Sequence, residues 1–193
     1  MYASDISRAE SISSGGGLLC RLRAAVIENR IRAAEAALGV PMDYLRFLAR
    51  HAPKLLHGMN AIGKLRRRAG GMAPPHLLHA ACLGGMLADD CGECVQITVN
   101  LARAGGVPAE HLRAALANDL AALPMEFALA LRFGRAIAEN ADDCAELHAE
   151  LAARHGPGAV AEIAFAVALG RSYPALKRGL GMARSCALVG VRA

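Results

Sequence analysis

Two cysteines three positions apart, Cys91 and Cys94, are the residues of this chain best suited to chemistry. A thiol pair at that spacing on a helix shares one face, about 5–6 Å between neighbours. That is within the range a disulfide tolerates, so the pair can cycle between dithiol and disulfide without unfolding its helix. Asp90-Cys91-Gly92-Glu93 reads as a helix start, with Asp90 as N-cap and Glu93 as the capping-box acid. Cys91 then takes the first helical position and Cys94 lies one turn on. Unpaired N–H groups at a helix start favour a thiolate. Asp89, Asp90 and Glu93 oppose it, because like charges disfavour a second anion. A protonated His would assist, and His79 is the nearest upstream candidate.

Other readings of the pair stay open on the local residues alone. A structural zinc needs about four ligands. Cys20, Cys82, Cys144 and Cys186 form no second CxxC, and the histidines lack finger spacing, so no metal is expected. A thioredoxin-type motif needs a βαβ setting, which the chain lacks. Two cysteines buried by coincidence in an Ala-rich helix would do no chemistry. Thr98 is read as bonding its own helix backbone, and Cys82 as a small core residue.

The elements that position the pair are expected to be helices throughout. Of the 193 residues, 54% are hydrophobic and 20% charged, enough to bury a core. The apolar set is mostly Ala and Leu, with no Trp, four Phe and three Tyr, which favours helix over strand. Pro residues open and Gly residues close the apolar stretches, as at Pro75, Gly105, Pro108, Pro124, Gly156 and Pro157. The expected helices are 18–38, a Pro41 to Arg68 stretch split at Pro53, 75–88, 91–104, 108–118, 124–139 and 143–155. A last one runs from Pro157 to about Tyr173, kinks at Pro174 and ends at Gly179 to Gly181. Residues 1–17, ending in Ser13-Ser14-Gly15-Gly16-Gly17, read as a flexible leader. Residues 18–193 read as a single all-helical domain, with N-terminal helices at 18–70 packing on a CxxC-bearing core at 75–190.

Net charge is +5, and all but Lys54, Lys64 and Lys177 of the 22 basic residues are Arg. The dense run Lys64-Leu65-Arg66-Arg67-Arg68 is read as a solvated helix end. Stacking aromatics are scarce, so nucleic acid is not expected. No apolar stretch reaches the roughly 18–20 residues of a membrane span, and Glu162 interrupts the longest. A cytoplasmic protein follows, in which a close CxxC signals redox chemistry rather than a disulfide framework.

Asp89-Asp90-Cys91-Gly92-Glu93-Cys94-Val95-Gln96, with Asn100-Leu101-Ala102-Arg103-Ala104-Gly105-Gly106-Val107, resembles the core of the alkylhydroperoxidase D-like, carboxymuconolactone decarboxylase-like family. The likeness is to the branch with an Asp-Cys-Gly-x-Cys-x-Gln core. Leu131 to Ala136 and Tyr173-Pro174-Ala175-Leu176-Lys177-Arg178 are also similar to it, and the resemblance runs from roughly Ala24 to Cys186. It implies an all-α, multi-helix bundle assembled as a homo-oligomer, commonly a trimer or hexamer. It also implies thiol-dependent reduction of a small hydroperoxide without a cofactor, using an external thiol reductant. Carried over, Cys94 attacks the peroxide and Cys91 resolves the sulfenic acid as a disulfide. The chain departs from that pattern at the proton relay. Thr98 stands where the family has His, and His79 where it has Glu. His79, facing the pair from the preceding helix, is the expected substitute base. The alternative is a helical oligomer of the same family that binds a small apolar ligand or acts as a thiol–disulfide partner. A decarboxylase-like relative fits less well, because those members lack the CxxC.

Overall fold

A computed structural model describes residues 18–89, 91–183 and 189–191, without the side chains of 18–24 and 65–69. The expected leader at 1–17, the Asp90 cap, the side chains of Cys20 and of Arg66 to Arg68, and Cys186 lie outside the described residues. The described chain is all-helical and contains no strand. Its helices are α1 (Leu18–Leu38), α2 (Asp43–His51), α3 (Pro53–Ala69), α4 (Pro75–Ala88), α5 (Gly92–Ala104), α6 (Ala109–Leu116), α7 (Met125–Glu139), α8 (Cys144–His155) and α9 (Pro157–Gly179). A single 3-10 turn, Leu120–Ala122, was not anticipated; the Asp119 carboxylate accepts the Ala122 N–H and closes it.

Helix α4 is the hub. It carries Leu77, Ala80, Ala81, Leu83 and Met86 into the core and packs against α5, α7 and α9. Its closest neighbour is α7, and the reason is two glycines. A Cβ on Gly84 would overlap the Leu131 carbonyl, and one on Gly134 would overlap the Ala81 carbonyl. Bare backbone on both helices permits this approach. A second, smaller apolar cluster joins Ile31, Met42, Tyr44, Leu48 and Leu56 of the N-terminal helices to Ile97 of α5 and to Tyr173, Leu176 and Leu180 of α9. Arg46 ties this layer together, bonding both Glu35 oxygens at 2.6 Å and Glu28 at 3.0 Å.

Pro174 sits inside α9 without ending it, so the helix runs on to Gly179. By length and composition α9 falls within the range of a membrane span, contrary to the shorter apolar stretch read from the sequence. Of its most apolar window, 39% is buried inside the fold. Ile163 and Val167 are buried against α4, α7 and α8. Glu162, also buried, accepts the backbone N–H groups of Gly71, Met72 and Ala73 at 2.9–3.1 Å. A buried carboxylate is tolerated when it satisfies donors that would otherwise have no partner. Gln96 and Asn100 hold two chain segments to α5. Gln96 exchanges two bonds with Gly190, and Asn100 donates to the Leu38 carbonyl.

Candidate functional site

Helix α5 begins at Gly92, one residue later than the sequence suggests, so Cys91 is the N-cap itself (φ −112°, ψ 89°) and no side chain caps the helix. The Cys91 carbonyl accepts the Val95 N–H, which starts the helical ladder. Cys94 is then one turn in. The two Sγ atoms are 2.9 Å apart and share one thiol–thiol hydrogen bond. A disulfide needs about 2.05 Å, so bond formation calls for a small closing movement. Both thiols are buried, at 1% and 6% exposure. Burial pushes the Cys94 thiol up to about 12. The hydrogen bond with Cys91, which holds the proton on Cys94, and the Cys91 and Glu93 charges push the same way, while Lys177 pulls it down.

The acids around the pair are neutralised from one helix, α9. Arg171 bonds the Asp89 carboxylate at 3.0 and 3.3 Å, and Arg178 bonds its carbonyl and carboxylate at 3.0 and 3.3 Å. Lys177, only 2% exposed, bonds Glu93. The Lys177 Nζ also stands 5.5 Å from the centre of the Tyr44 ring, a cation–π distance. Tyr44 meets Tyr173 edge-on at 6.4 Å. Its phenol is pushed above the usual tyrosine range by burial first, then by Tyr173, Cys94, Cys91 and Glu93. Tyr44, supplied by α2, therefore lies near enough to the thiols and Glu93 to feel their charge. A recess of about 270 Å³ opens beside it, lined by Asp43, Tyr44, Glu93, Lys177 and Met182 among others.

His79 is not part of this site. Its ring packs against Gly105, where an added Cβ would strike its Nε2. Gly105 is eleven residues beyond Cys94, about 16 Å along the α5 axis. The expectation that His79 faces the thiols fails because α4 and α5 pack running back past each other. A residue early on α4 therefore meets the end of α5. Thr98 donates to the Cys94 carbonyl at 2.9 Å, as read from the sequence, and so supports the helix rather than a proton relay. A larger recess of about 660 Å³ lies at that far end, beside His76, His111, Glu126 and Phe127. Among the described residues no three His, Cys, Asp or Glu side chains converge as metal ligands.

Sequence reasoning missed Tyr44 and Lys177, and read Glu93 as a cap and an opposing charge but not as the partner of a buried lysine. Lys177 left a signal. It is one of three lysines among many arginines, inside the Tyr173 to Arg178 run already set apart. Tyr44 left a weaker one, four residues before the fully buried Leu48 on α2. No family model, curated protein or solved structure matches the chain.

Proposed function

We propose that this protein is a thiol-dependent, alkylhydroperoxidase D-like reductase of small hydroperoxides, working through Cys91 and Cys94. The observation that carries the reading is the 2.9 Å Sγ–Sγ approach at the start of α5. In the first step the Cys94 sulfur attacks a peroxide oxygen. The O–O bond breaks, Cys94 becomes a sulfenic acid, and the alcohol leaves with the thiol proton. The Cys91 sulfur then attacks Cys94, forming the disulfide and releasing water. An external thiol reductant, such as a reducing cytoplasm supplies, restores both thiols by exchange. Exposed Val26, Leu55, Ile62, Leu101 and Phe165 support a homo-oligomer, trimer or hexamer, in which apolar helical faces are covered by other copies.

A second reading is a thiol–disulfide partner or sensor without peroxidase turnover. It draws support from the burial of both thiols and from the protonated state that burial imposes on Cys94. One experiment separates the two. Peroxide consumption coupled to a thiol reductant is measured for wild type and Cys94→Ser, with a thiol count before and after mild peroxide. Loss of consumption in the variant, with Cys91 and Cys94 pairing in the wild type, supports the reductase. Equal consumption in both removes Cys94 from the mechanism.

A further inference from the structure

We infer that Lys177 is the cation the Cys94 thiolate draws on, held in reserve by Glu93 and released toward the sulfur when Glu93 takes a proton. This rests on the dithiol reading above and names a positioning residue for it. Lys177 is buried and bonds Glu93, the residue immediately before Cys94. The α9 helix brings it to Glu93 in the first turn of α5, and its Nζ stands 5.5 Å from the centre of the Tyr44 ring. The recess reaches both members of the pair, which gives a proton a way in and out.

Among the described residues, the groups acting on Cys94 are few: Cys91 from the N-cap of α5, Glu93 from its first turn, Lys177 from α9 and Tyr44 from α2. Asp89, before the helix start, is already held by Arg171 and Arg178. Among the described residues Lys177 is thus the cation left to serve the sulfur, and Glu93 competes with the thiolate for it. When the Cys94 proton passes to the Glu93 carboxylate, Lys177 exchanges a carboxylate for a thiolate and total charge is unchanged. After the peroxide O–O bond breaks, the departing alkoxide takes the proton back from Glu93.

The consequence is a pair of opposite signs. Cys94 alkylation by iodoacetamide is followed at its own peptide by mass spectrometry from about pH 6 to about pH 10, on the rising limb below a midpoint of about 12, so that a displacement of this limb along the pH axis reports a displacement of the midpoint. Lys177→Met is expected to raise the titration midpoint and slow alkylation roughly tenfold or more at neutral pH. Lys177→Arg keeps the cation and is expected to stay within about threefold of wild type. Glu93→Gln, which frees Lys177 for the sulfur, is expected to lower the midpoint and speed alkylation. General loosening of the site would move all three variants in one direction. If Lys177→Met does not fold, Lys177→Arg and Glu93→Gln carry the test. An unchanged midpoint in Lys177→Met, or a raised one in Glu93→Gln, overturns the inference. Peroxide-driven pairing of Cys91 and Cys94 in the wild type is scored separately. Its absence overturns the peroxide chemistry while leaving the alkylation result to judge Lys177.

Discussion

Lys177 of α9 bonds Glu93 of α5 across 84 positions of sequence, and both side chains are almost wholly withdrawn from solvent. Taking one member away strands the other. Removing one partner of a buried ion pair costs about 3–5 kcal/mol, whereas replacing both with apolar groups is often neutral. Lys177→Met is expected to lose on the order of 3 kcal/mol in urea unfolding. Adding Glu93→Leu is expected to recover much of that loss. A double variant that is the sum of the two single losses would show that the pair is not coupled.

The Glu162 carboxylate makes a comparable prediction far from the thiols. It gathers three successive backbone N–H groups in the link that leads into α4. Hydrogen bonds to charged groups contribute about 1.5–3 kcal/mol. Glu162→Ala is therefore expected to cost about 2–3 kcal/mol and lower the thermal midpoint by roughly 5–10 °C. Glu162→Gln keeps one acceptor oxygen and is expected to lose less. Calorimetry giving identical midpoints for Glu162→Ala and wild type would show that the cradle contributes nothing.

Glycines in these helices should answer to the same substitution with opposite signs. Gly84 and Gly134 lie where α4 and α7 touch backbone to backbone. Alanine at either site must push the helices apart, at about 1–3 kcal/mol or more. Gly58 on α3 has open space where a Cβ would be, and Gly58→Ala is expected to gain about 0.5–1 kcal/mol through helix propensity. Chemical denaturation of the three variants checks the ordering. A stabilised Gly84→Ala would mean that α4 and α7 are not in contact.

These contrasts mark where the sequence was legible. Proline and glycine fix φ and supply breaks through local forces alone, so α1, α4, α7 and α9 fall close to their expected limits. Cys91 and Cys94 needed only the helical repeat to be placed together. Local spacing could not tell which end of α5 His79 would meet, because that depends on how α4 folds back on α5. Nor could it bring Lys177 or Tyr44 to the thiols, since both arrive from helices distant in sequence. The purpose of Glu162 was hidden for the same reason: its partners lie about ninety positions upstream.

The raised Cys94 thiol links the site to stability through pH. Its ordinary value is 9.0, and in the folded chain burial moves it to about 12. Between those limits the unfolded chain releases a proton that the folded chain keeps. Stability contributed by this thiol is therefore fully present below pH 9 and is lost as pH rises toward 12. Under reducing conditions the urea midpoint of wild type is expected to fall more steeply than that of Cys94→Ser from about pH 8.5 upward. The comparison cancels the other groups that titrate in the same range, including lysines away from the site. Parallel curves for the two proteins would mean that Cys94 ionises as readily folded as unfolded. The thiol would then be open to solvent rather than buried in the fold.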